Sequence, residues 1–256
     1  MFQHLFMNES YVIVFVLVLL RISSYLLSSS LFNSYQVPAP IKILMSLMMS
    51  LIAFETYKTA KVPVDSLIII LAAKEVFVGV CLGMLTRFFF FALNMASEMT
   101  SQALGLSSAS IYNPLSGINS SLIEQFQGTL AILIFFAIQG HHLLISAIFQ
   151  SFELVSVSQM TIKFGGLGEF AKWCQILFEI ALKVSAPVVS SLFLVNLGMG
   201  ILGRAVPQIN VFVTSFQVTI VVGFLILFVS MPLYMNEVIQ ILDLTQTQML
   251  KMMRSF

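Results

Sequence analysis

SLIIILAAKEVFVGVCLGMLTRFFFFAL, residues 66–93, decides what kind of chain this is. The run is twenty-eight residues long and carries three charged side chains, Lys74, Glu75 and Arg87. About 20 consecutive apolar residues suffice for a helix to cross roughly 30 Å of hydrocarbon. Strict apolar–polar alternation is absent, so a barrel strand is excluded and a long helix is expected. An ionised side chain at the bilayer centre costs about 2.5–3.5 kcal/mol on insertion scales. Lys74 and Glu75 must therefore face protein or a wet cavity. A relay or translocation pathway is one reading; a pair satisfied by neighbouring helices is the commoner one. Gly79 and Gly83 follow Glu75 by four and eight residues. That small-residue stripe lets another helix come close and is most often packing.

The rest of the composition agrees. The chain has 256 residues, 59% apolar and 9% charged, against roughly 45–50% and 25% in soluble domains. Net charge is +1 and no Lys/Arg cluster points to nucleic acid. Cys81 and Cys174 lie far apart in apolar segments and read as buried thiols, not as a disulfide or metal pair. The N-terminus lacks the basic region of a cleavable signal, so the first apolar segment is expected to be retained.

Six apolar segments are expected to be helices: 11–27, 41–57, 66–93, 125–152, 173–202 and 209–233. Pro187 should interrupt the fifth and Pro232 should end the sixth. The tail, 234–256, sets Val238, Ile241, Leu242, Met249, Met252 and Met253 against Glu237, Asp243, Lys251 and Arg254, an amphipathic helix. Six Lys/Arg fall on the side of the termini (Lys58, Lys61, Lys163, Lys172, Lys251, Arg254) and four on the other (Arg21, Lys42, Arg87, Arg204), a slight bias towards cytoplasmic termini.

Between the third and fourth segments stands TSQALGLSSASIYNPLSGINSS, residues 100–121. It has no charge, and fourteen of its twenty-two residues are Ser, Thr, Asn, Gln, Gly or Pro. Structureless connections of this length are usually functional or disordered. This one carries Leu104, Leu106, Ile111, Tyr112, Leu115 and Ile118, too apolar for disorder. An ordered loop packed inside protein is expected, with backbone freedom at Gly105 and Gly117 and a stiff point at Pro114.

Other motifs carry less. Gly198, Gly200 and Gly203 match G-x-G-x-x-G but follow a helical run with no acidic residue about twenty residues on, so close helix packing explains them better than a dinucleotide. His141 and His142 are adjacent, without a third ligand at metal spacing. Glu179 and Lys183 form an i,i+4 pair on a helix surface. Arg204, Pro207, Gln208 and Asn210 break the apolar run into a helical hairpin with a polar turn. No nucleophile elbow, Walker sequence or paired-carboxylate motif is present, and neither an enzyme nor a cofactor or metal is expected.

Three stretches together carry a resemblance. Lys74-Glu75-Val76-Phe77-Val78-Gly79 with Leu82-Gly83, then Gly105-Leu106-Ser107 through Asn113-Pro114, then Arg204-x-x-Pro207-Gln208-x-Asn210-Val211-Phe212, resemble the FliR family of flagellar biosynthetic proteins, the R subunits of the type III export gate. The likeness covers essentially the whole chain. It implies an all-α, polytopic membrane-type fold of long kinked helices and helical hairpins, P-subunit-like over residues 1–172, with a Q-subunit-like hairpin and tail over residues 173–256. It implies a place in the inner membrane at the flagellar basal body, in a gate with FliP and FliQ, served by FlhB and FlhA and traversed by unfolded flagellar proteins. It also implies that the loop plugs the pore, through Gly105, Leu106, Ser107, Ser110, Tyr112, Asn113, Pro114, Gly117 and Asn119. A homologous subunit of a virulence injectisome is the near alternative, and a small-solute transporter using Lys74 and Glu75 the distant one.

Overall fold

A computed structural model describes residues 9–30, 38–57, 68–106, 121–157, 166–206, 208 and 210–255. They form α1 (Glu9–Ser28), α2 (Ala39–Tyr57), α3 (Ile68–Ala103), α4 (Leu122–Ala137), α5 (Gly140–Leu154), α6 (Gly166–Ala205) and α7 (Val211–Ser255), with no strand among the described residues. The all-α, polytopic fold expected from the apolar runs is present. Among the described residues five helices are long and apolar enough to cross a membrane, or up to six if α4 and α5 count as one bent span.

The chain packs as two compact units. One comprises Met1–Phe89, His141–Trp173 and Asp243–Phe256; the other comprises Phe90–Gly140 and Cys174–Leu242. In the first, α2 lies along α1, with Phe54 edge-on to Tyr11 and Phe15 at ring-centroid separations of 6.5 and 5.7 Å. The crossing of α1 and α3 is closer still. A Cβ at Gly79 would overlap Ser24 Oγ and the Arg21 carbonyl oxygen, and one at Gly83 would overlap Ser28 Oγ and lie 2.7 Å from the Tyr25 carbonyl oxygen. Only glycine lets the two backbones meet there. In the second unit, α6 and α7 form the hairpin, joined across their apolar faces by the Thr219 hydroxyl donating to Asn196 Oδ1 at 3.2 Å.

Four expectations change. The third helix runs on to Ala103, so the first four residues of the uncharged stretch are helical and the connection proper begins at Leu104. The fourth segment is not one helix: the chain bends by 68° between α4 and α5. At that break Gln139 adopts φ 57°, the left-handed conformation uncommon outside glycine, and Ile138 and Gln139 donate their N–H groups to the Ile134 and Phe136 carbonyls at 2.9 and 3.1 Å. Pro187 does not interrupt α6, and Pro232 does not end α7. Past Pro187 the hydroxyls of Ser190 and Ser191 back-bond to the carbonyls of Ala186 and Pro187 at 2.6 and 2.7 Å, as serine commonly does inside apolar helices. The tail is thus the end of α7 rather than a separate element, and it is amphipathic: Val238, Ile241, Leu242, Met249, Met252 and Met253 are buried while Asp243, Lys251 and Arg254 are exposed.

The glycine reading divides. Gly203 meets Val211 at the hairpin turn, where a Cβ would lie 2.8 Å from Val211 Cγ2, but a Cβ at Gly198 or Gly200 would meet nothing within 4 Å. Close packing explains the first and not the other two. Of the cysteines, Cys81 is buried and Cys174 only partly so.

Candidate functional site

The first candidate centre follows from the glycine contact. Glu75 stands one turn before Gly79, so the close crossing that Gly79 permits brings α1 within reach of its carboxylate. The residue that arrives is Arg21. Its Nε and Nη2 both donate to Glu75, Nη2 to Oε1 at 2.9 Å, in the two-pronged geometry of the strongest charge-assisted pairs. Arg21 also donates through Nη1 to the Ser151 carbonyl at 3.0 Å and through Nη2 to the Val155 carbonyl at 2.9 Å. The guanidinium stacks on Phe152, 4.3 Å from the ring centroid. Lys74 completes the group: its Nζ lies 2.9 Å from Glu75 Oε1 and donates to the Ser156 carbonyl at 2.7 Å. The side chains of Arg21, Lys74 and Glu75 are 0–2% exposed. Three helices therefore meet on one buried charge cluster, whose cations cap the carbonyl end of α5, where the helix dipole is negative.

Lys74 and Glu75 thus face protein rather than lipid. Sequence reasoning misses their main partner, because Arg21 reads there as a charge flanking its segment. The usable signal is the absence of any other charge in residues 11–27. Arg87, grouped with these residues in the sequence, lies exposed three turns further along α3, away from the cluster.

The second centre is formed by the two ends of the uncharged connection. At the end of α3, Gly105 has φ +76°; it donates its N–H to the Gln102 carbonyl at 3.0 Å, and Leu106 donates to the Ser101 carbonyl at 3.1 Å. This pair of bonds is the Schellman stop, and Gly105 is its left-handed residue. At the other end Ser121 caps α4 reciprocally: the Glu124 N–H donates to Ser121 Oγ at 3.1 Å and the Ser121 N–H to Glu124 Oε2 at 3.3 Å. That capping box is legible in the sequence as Ser-x-x-Glu. Leu104, buried completely, packs with Ile123, Val188 and Leu192, and Leu106 lies against the same cluster. Gly223 of α7 makes room for Leu104, since a Cβ there would overlap the Leu104 side chain. Both ends of the connection are thus rooted in one core. Ser107, Ser110, Tyr112, Asn113, Pro114, Gly117 and Asn119 lie outside the described residues.

The hairpin turn is the third. Arg204 ends α6 exposed, Gln208 is exposed in the turn, and Asn210 caps α7, accepting from the Val213 N–H on Oδ1 at 3.5 Å while its carbonyl accepts from the Thr214 N–H at 3.1 Å. Phe212 lies in the first turn of α7, and Pro207 is outside the described residues. Elsewhere, the rings of His141 and His142 lie 4.2 Å apart between centroids and are tilted by 58°, and the described residues hold no cluster of three metal-ligating side chains.

Residues 12–245 match the family model of bacterial export proteins, family 1. The chain belongs to this family. Among its relatives is the flagellar biosynthetic protein FliR of Bacillus subtilis (strain 168), 38% identical over 235 residues, covering 90% of this chain and 91% of that protein. The FliR of Escherichia coli (strain K12) is 27% identical over 84% of this chain and 83% of its own length. That of Aquifex aeolicus (strain VF5) is 25% identical over 88% of each.

Within this export-protein fold, the Schellman stop gives a local prediction. Gly105→Val forces a β-branched residue into positive φ and brings its side chain against the Phe216 ring, whose Cε2 would stand 3.4 Å from the new Cβ. The expected loss is about 1–3 kcal/mol, read as a lower thermal midpoint of the solubilised protein.

Proposed function

We propose that the chain is a structural and gating subunit of the flagellar protein export gate, forming part of the channel for unfolded substrates, and that the connection within 100–121 closes the channel at rest. The observation that carries this reading is the framing of the connection: a Schellman stop and a capping box, both rooted in the core of Leu104, Ile123, Val188 and Leu192. A movable closure needs fixed ends. Its uncharged composition suits a narrow pore, where a buried unpaired charge would be costly. Irregular backbone at membrane depth is tolerated only where protein buries it or where it lines a cavity.

The flagellar names of the relatives favour a flagellar over an injectisome system. Residues 1–172 are read as P-subunit-like and the hairpin and tail, residues 173–256, as Q-subunit-like, with FliP and FliQ as gate partners, FlhB and FlhA beside them, and the inner membrane at the basal body as the location. Burial of Arg21 removes it from the flanking charges, leaving three Lys/Arg against six, which sharpens the bias towards cytoplasmic termini. Full engagement of Lys74 and Glu75 with Arg21 and the α5 carbonyls favours a structural cluster over the proton relay of a solute transporter.

The test keeps both caps and replaces residues 107–120 by a short Gly/Ser linker. Cells overproducing the gate with this subunit are expected to leak small ions, seen as loss of membrane potential, while the complex still assembles. Unchanged permeability in an assembled gate overturns the closure role.

A further inference from the structure

In the second unit α7 meets the end of α3 at two places. At Gly223 the Leu104 side chain fills the space that a Cβ would need. Two turns earlier on α7, the Phe216 ring lies against Gly105, its Cε2 3.4 Å from where a Cβ would stand. The hairpin builds this seat from two successive rungs between α6 and α7. In the first, the Thr219 hydroxyl donates to Asn196 Oδ1 at 3.2 Å. In the second, one turn on, Leu192 faces Gly223, with Cδ2 3.4 Å from a Cβ placed there. Leu104 is wedged into the second rung, and both it and Leu192 are fully buried.

The place of Leu104 decides where the chain goes next. It directly precedes Gly105, whose φ is +76°, and Leu106 then donates its N–H to the Ser101 carbonyl at 3.1 Å. The course on which the connection leaves α3 is therefore fixed by the seating of Leu104. That seating depends on the missing side chain at residue 223. Gly223 also differs from the glycines of the first unit. A Cβ at Gly79 or Gly83 runs into backbone carbonyl oxygens, so enlargement there drives two helices apart. The atoms nearest a Cβ at Gly223 all belong to the side chains of Leu104 and Leu192. Enlargement there displaces a side chain while the helices can hold their places, and a close-packed interior gives that side chain no free volume to retreat into.

We propose that Gly223 is a positioning residue for the closure: by admitting Leu104 to the rung between α6 and α7, it sets the course of the connection, and a larger residue at 223 leaves the channel ajar. The inference rests on the closure role proposed above. It puts a determinant of gating on α7, far along the chain from the connection itself.

The variants are Gly223→Ala, Leu104→Val and the two together, each in the full-length chain within the gate. Gly198→Ala is the control, since a Cβ there meets nothing within 4 Å. The chain with residues 107–120 replaced by linker is measured alongside. Ion permeability is followed as loss of membrane potential in cells overproducing the gate, and the assembled complex is quantified in the same cells. Gly223→Ala is expected to raise permeability about tenfold with assembly kept, the factor that a typical coupling between contacting residues commands. Leu104→Val alone, which under-fills the seat, should leak less. The double variant should return to the original level, because a swap that conserves volume across one contact is well tolerated. Original permeability in an assembled Gly223→Ala gate overturns the proposal; a leak from the linker chain then leaves the closure role standing, and no leak from either overturns both. A leak that persists in the double variant, or an equal one from Gly198→Ala, also overturns it. Where Gly223→Ala does not assemble, Leu104→Val decides, and original permeability there overturns the proposal.

Discussion

Glu75→Leu is expected to be the most damaging single substitution in the chain, costing about 3–5 kcal/mol, the usual penalty for leaving a buried charge without its partner. Among the described residues Glu75 is the only anion in the cluster, and both Arg21 and Lys74 lean on it. Its loss leaves two buried cations without the carboxylate that both of them contact. Arg21→Met should cost less, because Lys74 and Glu75 remain a neutral pair and what is lost is the capping of the Ser151 and Val155 carbonyls. The order Glu75→Leu worse than Arg21→Met is the discriminating result. Replacing Arg21, Lys74 and Glu75 together by apolar residues should recover most of the loss, since buried ion pairs exchange for hydrophobic side chains nearly neutrally. It should not recover all of it, because the Val155 and Ser156 carbonyls would lose their side-chain donors. The measurements are the amount of chain in membranes and the thermal midpoint of the solubilised complex. Equal effects of Glu75→Leu and Arg21→Met would mean that Lys74 does not share the carboxylate.

Gly79→Ala ranks second. A methyl group there overlaps Ser24 Oγ, which can move, and the Arg21 carbonyl oxygen, which is backbone and cannot move without shifting α1. Overpacking of this kind costs about 1–3 kcal/mol, more where backbone must yield. The shift would also withdraw Arg21 from Glu75. The double mutant Gly79→Ala/Arg21→Met should therefore be less destabilised than the sum of the two single mutants, since residues in contact couple by about 0.5–3 kcal/mol. Simple additivity would show that the crossing and the ion cluster are independent.

How much of this is legible in the amino-acid order depends on the range over which each signal acts. Apolar length locates the long helices with no knowledge of neighbours, but it does not show the break within the fourth segment or the joining of the sixth to the tail. Glycine at a stop and Ser-x-x-Glu at a start are local chemistry, and Gly105 and Ser121 obey it. Proline misleads because its rule is drawn from isolated helices: α6 runs on through Pro187 and α7 through Pro232. The break at Gln139 is marked in the sequence by Gly140 beside it, but glutamine itself does not announce a positive φ. Arg21 and Glu75, 54 residues apart, can be paired only by charge balance, which says that partners exist but not which ones.

The Arg21 cluster also has a history in time. Arg21 lies 54 residues ahead of its carboxylate and 130 ahead of the Ser151 carbonyl it caps. Ribosomes add about 5–20 residues per second, so roughly 3–10 seconds pass between synthesis of the arginine and of Glu75. For that interval the first apolar helix carries a cation with no counter-ion, a burden of about 2.5–3.5 kcal/mol at the centre of a bilayer. Maturation of this chain therefore has an order imposed by one ion pair: α1 must be sheltered at the insertion machinery, or held towards the interface, until α3 arrives to neutralise it.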